Sequence, residues 1–201
     1  PQDKTTVKPE MVLTWSRLFL APIVFGAYLF GTETGSVPAV WVAVAVFALA
    51  TATDKLDGYI ARKYNRVTEA GALLDPFTDS ILFMTVFLAF VADGIMPAWI
   101  LLIILYRETF IHSFLRPYLK KRGVALSASI WGKLKTLTQS VVCLGVVPWR
   151  AITVSGRAGR QTLEEVAFWG FLLVALLSAG SLAHYIYMSR ETLFSAQSPE
   201  D

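Results

Sequence analysis

Ala52-Thr53-Asp54-Lys55-Leu56-Asp57-Gly58-Tyr59-Ile60-Ala61-Arg62 closes one apolar run of this chain, and Gly71-Ala72-Leu73-Leu74-Asp75-Pro76-Phe77-Thr78-Asp79 opens the next. The spacing of the carboxylates is helical. Asp54 and Asp57 are three residues apart, Asp75 and Asp79 four, so on helices each pair shares a face. Ionisable groups bordering membrane-spanning segments are costly and usually functional. A helical hairpin would bring the two pairs together at one membrane edge.

Working outward, six apolar segments are read: about 12–30, 37–53, 76–91, 96–115, 134–147 and 166–188. Several are shorter than the roughly 20 residues that cross a bilayer, so each is expected to extend into polar flanks. In lipid the backbone must satisfy its own hydrogen bonds, which predicts helices. The expected fold is an all-α integral membrane domain over residues 1–201, with six transmembrane helices around a polar cavity open to the cytoplasm. Residues 1–11 form a polar N-terminal segment, the stretch before Trp15 is expected to be an interfacial helix, and 189–201 form a polar tail. No cleavable signal peptide is read at the start. Pro38 and Pro76 are expected near the starts of their helices, where a missing N–H costs little.

Composition agrees. Of 201 residues, 55% are hydrophobic and only 16% charged, against roughly 25% in soluble domains; the mean hydropathy is +0.54. The net charge of +3 sits between apolar runs, which favours lipid headgroups and phosphorylated substrates over nucleic acid. A single cysteine, Cys143, excludes an internal disulfide and reads as a small packed hydrophobe. Arg62, Lys63 and Arg66 lie in one loop; Arg116, Lys120, Lys121, Arg122 and Lys133 lie around another. The opposite loops, near 31–36 and 92–95, carry no Lys or Arg, although Arg150, Arg157 and Arg160 follow the fifth segment. The positive-inside rule therefore places both termini and the aspartates at the cytoplasmic face of the cell inner membrane.

Four adjacent carboxylates repel one another unless divalent cations lie between them. Hard oxygen ligands suit Mg2+ or Mn2+, with substrate phosphates completing the shell. No His or Cys cluster points to structural zinc, and no G-x-x-x-x-G-K-[ST] run to a P-loop. Gly58 leaves room for a ligand near the backbone, or for close helix packing.

Residues 54–79 resemble the signature of the CDP-alcohol phosphotransferase family, D-x-x-D-G-x-x-A-R-x8-G-x-x-x-D-x-x-x-D. It is met at Asp54, Asp57, Gly58, Ala61, Arg62, Gly71, Asp75 and Asp79. Leu13-Thr14, Arg17, Pro22, Arg107-Glu108, Gly123-Val124-Ala125, Gly132 to Thr136 and Gln139 are similar to the branch that uses glycerol 3-phosphate. Arg116 stands one residue further from Arg107 than in that branch, Ser80 takes the place of a usual Lys, and Phe77-Thr78 that of a usual Leu-Ala. The resemblance implies transfer of the phosphatidyl group of CDP-diacylglycerol to glycerol 3-phosphate, releasing CMP, with two metal ions. It implies Asp54, Asp57, Asp75 and Asp79 as metal ligands, Asp79 also as base, and Gly58, Ala61, Arg62 and Gly71 against the nucleotide. Arg107, Arg116, Lys133 and Lys135 are candidates for the acceptor phosphate; Arg107 has the alternative of an ion pair with Glu108. A homodimer is a further expectation by family analogy. Other acceptors are inositol phosphate, or phosphatidylglycerol as in a cardiolipin synthase. A metal or ion transporter is the alternative of another class; it would place its charges near the midplane, often with repeats, and no repeat is visible.

Overall fold

The computed structural model describes residues 9–63, 69–122 and 130–194; within them, nothing is said of the side chains of 9–16, 54–77, 79 and 191–194. The described residues form six long helices and no strand: α1 (Pro9–Thr34), α2 (Val37–Lys63), α3 (Glu69–Ala92), α4 (Ala98–Lys121), α5 (Ile130–Val154) and α6 (Arg160–Phe194). Each of the six apolar segments falls on one helix, and the helices run on into polar flanks as expected. Thus α2 continues ten residues past Thr53, and α6 reaches Phe194. One expectation fails: α3 begins at Glu69, so Pro76 lies inside the helix and withholds the N–H that the Ala72 carbonyl would otherwise take. The expected tail from 189 is helical as far as Phe194.

Three of these helices, Ala98–Lys121, Ile130–Val154 and Arg160–Arg190, are long and apolar enough to cross a membrane; Val37–Thr53 and Ser80–Ala92 are shorter apolar stretches. The outside agrees with lipid as solvent. Phe19, Trp169 and Leu176 are each more than 60% exposed, an outward apolar surface that water would not tolerate. The chain is a membrane protein.

α1 packs against both α2 and α3, α2 against α5, α4 against α6, and α5 against α6. At the centre Phe90 meets Phe171 at 5.3 Å between ring centroids and Tyr28 edge-on at 5.6 Å, while Phe87 meets Phe171 edge-on at 6.1 Å. These rings tie α1, α3 and α6 by quadrupole-favoured geometry as well as by packing. Cys143 is fully buried beside them, as a small hydrophobe should be. The α1–α2 turn is tight because Gly31 has no Cβ; one placed there would come within 2.5 Å of Val40 Cγ2 and 2.8 Å of the Val40 nitrogen.

The end of the bundle remote from the aspartate motif is held by one carboxylate. Asp93 accepts Arg150 Nε at 2.6 Å and Nη2 at 2.9 Å, a two-pronged pair, and also the Tyr28 hydroxyl at 3.0 Å. Arg160 Nη2 donates to the Asp93 carbonyl at 2.6 Å. Gly94, at φ +79°, turns the chain there as only glycine does readily. This cluster joins α1, α5 and α6 to the α3–α4 turn. Arg150 and Arg160, two of the three arginines that follow the fifth apolar segment, are thus paired with Asp93 within the protein. Asp93→Asn removes the anion from two arginines, one of them buried. Loss of one partner of a buried pair costs about 3 kcal/mol or more. The thermal unfolding midpoint in detergent should fall clearly; an unchanged midpoint would show the cluster to be dispensable.

Candidate active site

All four motif aspartates lie on helical backbone, Asp54 and Asp57 in the last three turns of α2, Asp75 and Asp79 in the first three of α3. Each pair therefore has the shared face its spacing demands. Gly58, Ala61 and Arg62 follow on α2, and Gly71 precedes on α3. The side chains of these eight residues lie outside the described ones. Among the described residues no group of three or more His, Cys, Asp or Glu converges. The donor set that the two helices carry is four carboxylates at helical spacing, hard oxygens that fit Mg2+ or Mn2+ better than soft or borderline metals.

The wall beyond the motif is resolved in detail. It is built around Glu108, which sequence reading took as part of the Arg107-Glu108 match and as a mate for Arg107. Glu108 Oε1 accepts Arg107 Nη1 at 2.7 Å and Lys135 Nζ at 2.5 Å. Its Oε2 accepts the Ser80 hydroxyl at 2.8 Å and lies 3.4 Å from His112 Nε2. Arg107 reaches across to the Ser181 hydroxyl on α6 at 3.0 Å. Arg107, Glu108 and Lys135 are each less than 7% exposed. The ion-pair alternative for Arg107 is thus the observed geometry. The trio carries two cations and one anion, a formal net charge of +1 in an apolar bundle. Arg107 Nε and Gln139 Oε1, both buried, have no hydrogen-bond partner among the described residues. Buried polar atoms left so are rare and call for a ligand or water.

The four candidate cations do not all converge. Arg107 and Lys135 meet on Glu108. Lys133 is exposed on the other side of α5, because residues two apart on a helix do not face the same way. Arg116 is half-buried and follows a π-helical segment, Phe110–Leu115, inside α4. Ser80, noted in the sequence only as a departure, directly follows Asp79 and donates to Glu108, so it links the motif helix to the cation pair. Between α3 and α4 runs a groove of about 270 Å3. Glu108, His112 and Ser80 line its polar part, and Met84, Leu88 and Leu105 its apolar part.

Comparison with known proteins identifies the family. Residues 9–187 match the CDP-alcohol phosphatidyltransferase family. A Bacillus subtilis protein named CDP-diacylglycerol–glycerol-3-phosphate 3-phosphatidyltransferase is 34% identical over 142 residues, 70% of this chain and 72% of its own length. A Haemophilus influenzae protein of the same name is 29% identical over 90% of this chain and 92% of its own. A Mycobacterium tuberculosis protein named probable phosphatidylglycerophosphate synthase is 39% identical over 68% of this chain, a match that spans 65% of that relative. The family match covers both aspartate helices and the Glu108 cluster, and by it this chain belongs to the CDP-alcohol phosphatidyltransferase family, an enzyme family of the membrane.

Proposed function

We propose that the protein transfers the phosphatidyl group of CDP-diacylglycerol to glycerol 3-phosphate, giving phosphatidylglycerophosphate and CMP. The observation that carries the choice of acceptor is the buried cation pair Arg107 and Lys135, joined through Glu108 to Ser80, the residue after Asp79. Charged donors grip phosphate far better than they grip a neutral alcohol. The names borne by the relatives point the same way.

In this reading Asp54, Asp57, Asp75 and Asp79 hold two divalent ions, Mg2+ or Mn2+. When bound, the ions supply charge neutralisation for the pyrophosphate and the displaced oxygen. Gly58 and Ala61 keep one face of α2 low enough for the nucleotide to lie against it, and Arg62 and Gly71 flank it. Asp79 takes the proton of the acceptor hydroxyl as that oxygen bonds to the β-phosphorus. The bond from that phosphorus to the CMP oxygen breaks, and CMP departs with the electron pair. Arg107 and Lys135 hold the acceptor's phosphate so that its hydroxyl points at Asp79, and Glu108 orients both cations. The diacyl tails stay in the bilayer, the aspartates face the cytoplasm, and the active unit is a homodimer.

Arg107→Gln tests the acceptor assignment. It should raise KM for glycerol 3-phosphate at least tenfold, about the 1.5–3 kcal/mol of a hydrogen bond to a charged group. KM for CDP-diacylglycerol should stay within threefold. Equal KM values for glycerol 3-phosphate in variant and parent would make Arg107 purely structural.

A further inference from the structure

Arg107 and Arg116 are nine residues apart on one helix. At about 100° per residue, an uninterrupted α-helix would set them on opposite faces, about 180° apart. The helix is interrupted. Phe110–Leu115 is π-helical, and the N–H of Arg116 donates to the carbonyl of Ile111, five residues back instead of four. A π turn absorbs one more residue than an α turn, and such turns are frequent at functional sites. Everything downstream is turned back by about one residue. Arg116 then stands about 80° from Arg107 and within about 20° of the line through Glu108.

The burial pattern is compatible with the turn. Ile111, Leu115 and Leu119 step by four residues, and all are 1% exposed or less, packed with Tyr185. In a plain α-helix eight residues would carry Leu119 about 80° away from Ile111. With one residue absorbed, Ile111 and Leu119 come within about 20° of each other. The same turn sets the backbone of Arg116 on the side of α4 that carries Glu108.

We infer that the π segment Phe110–Leu115 is a positioning device: it brings Arg116 onto the Glu108 side of α4, where it and Arg107 grip one phosphate of the acceptor. This rests on the reading of the acceptor as a phosphorylated alcohol. Arg107 is locked by Glu108 and Ser181 and has little freedom to follow a ligand. Arg116 has no such anchor among the hydrogen bonds described, and supplies the mobile half of the grip.

The test uses full-length protein in detergent with Mg2+. Deleting Ser113, an exposed residue of the segment, removes the extra residue and lets α-type bonding run through with Arg116 in the same register. KM for glycerol 3-phosphate should stay within threefold of the parent. Arg116→Gln should raise it at least tenfold, Arg116→Lys should recover part of that loss, and KM for CDP-diacylglycerol should hold in all three. An Arg116→Gln protein with parental KM overturns the inference. So does a Ser113 deletion that raises KM as Arg116→Gln does, or that no longer folds, because the segment would then serve something other than register. If the parent protein itself ignores glycerol 3-phosphate, the acceptor reading fails instead, and the two failures are told apart.

Discussion

Asp57→Asn and Asp79→Asn should each abolish release of CMP from CDP-diacylglycerol, with thermal unfolding midpoints close to the parent's. Asparagine keeps the volume and tolerates the helix but gives up the charge that makes a carboxylate a metal ligand and a base. For Asp79 both roles are lost together. A positioned base alone contributes roughly 10²–10⁴-fold, so turnover should fall at least ~10²-fold, most steeply at Asp79. Asp57 lies on α2 and Asp79 on α3, so loss of turnover at both would place one reaction centre across the two helices. Near-normal turnover in either folded variant would remove the two-metal reading, since no other described cluster of His, Cys, Asp or Glu could replace it.

The second large effect is on stability. Glu108→Ala leaves Arg107 and Lys135 buried without their carboxylate, and leaves Ser80 without its acceptor. Removing one partner from a buried ion pair costs about 3–5 kcal/mol, because the surviving charge stays desolvated. The unfolding midpoint should drop strongly. The double variant Glu108→Ala with Lys135→Met should recover part of the loss, because it removes one of the two stranded cations. Strict additivity of the two single changes would show that Glu108 and Lys135 are not coupled, since neighbours in one network normally are.

What could be read in the sequence was what depends on neighbours along the chain. Hydropathy located all six helices, and the three- and four-residue spacings put the aspartates on shared faces, because both follow from helical period alone. The helix ends were less legible. Apolar character stops at Thr53, but α2 continues to Lys63. Polar residues remain good helix formers once the helix has begun, and α3 likewise starts at Glu69, seven residues before Pro76. Lys133 and Lys135 were grouped as equals, although their spacing of two already forbade a common face. Glu108 and Asp93 were missed as organisers for a different reason. Each gains its meaning from partners 27 to 67 residues away, a relation that local pattern does not carry. The π segment left one trace in the sequence, the single-residue offset of Arg116 from the family spacing; only the backbone shows where that residue is absorbed.

The central claim concerns which alcohol receives the phosphatidyl group. The most direct test is a product assay with purified full-length protein, Mg2+, CDP-diacylglycerol and a panel of acceptors, following CMP and lipid product together. The account predicts that glycerol 3-phosphate alone among glycerol 3-phosphate, inositol phosphate, phosphatidylglycerol and serine yields CMP and an equal amount of phosphatidylglycerophosphate, and that a chelator stops both. CMP formed with another acceptor but not with glycerol 3-phosphate, or no metal-dependent CMP at all, would contradict it.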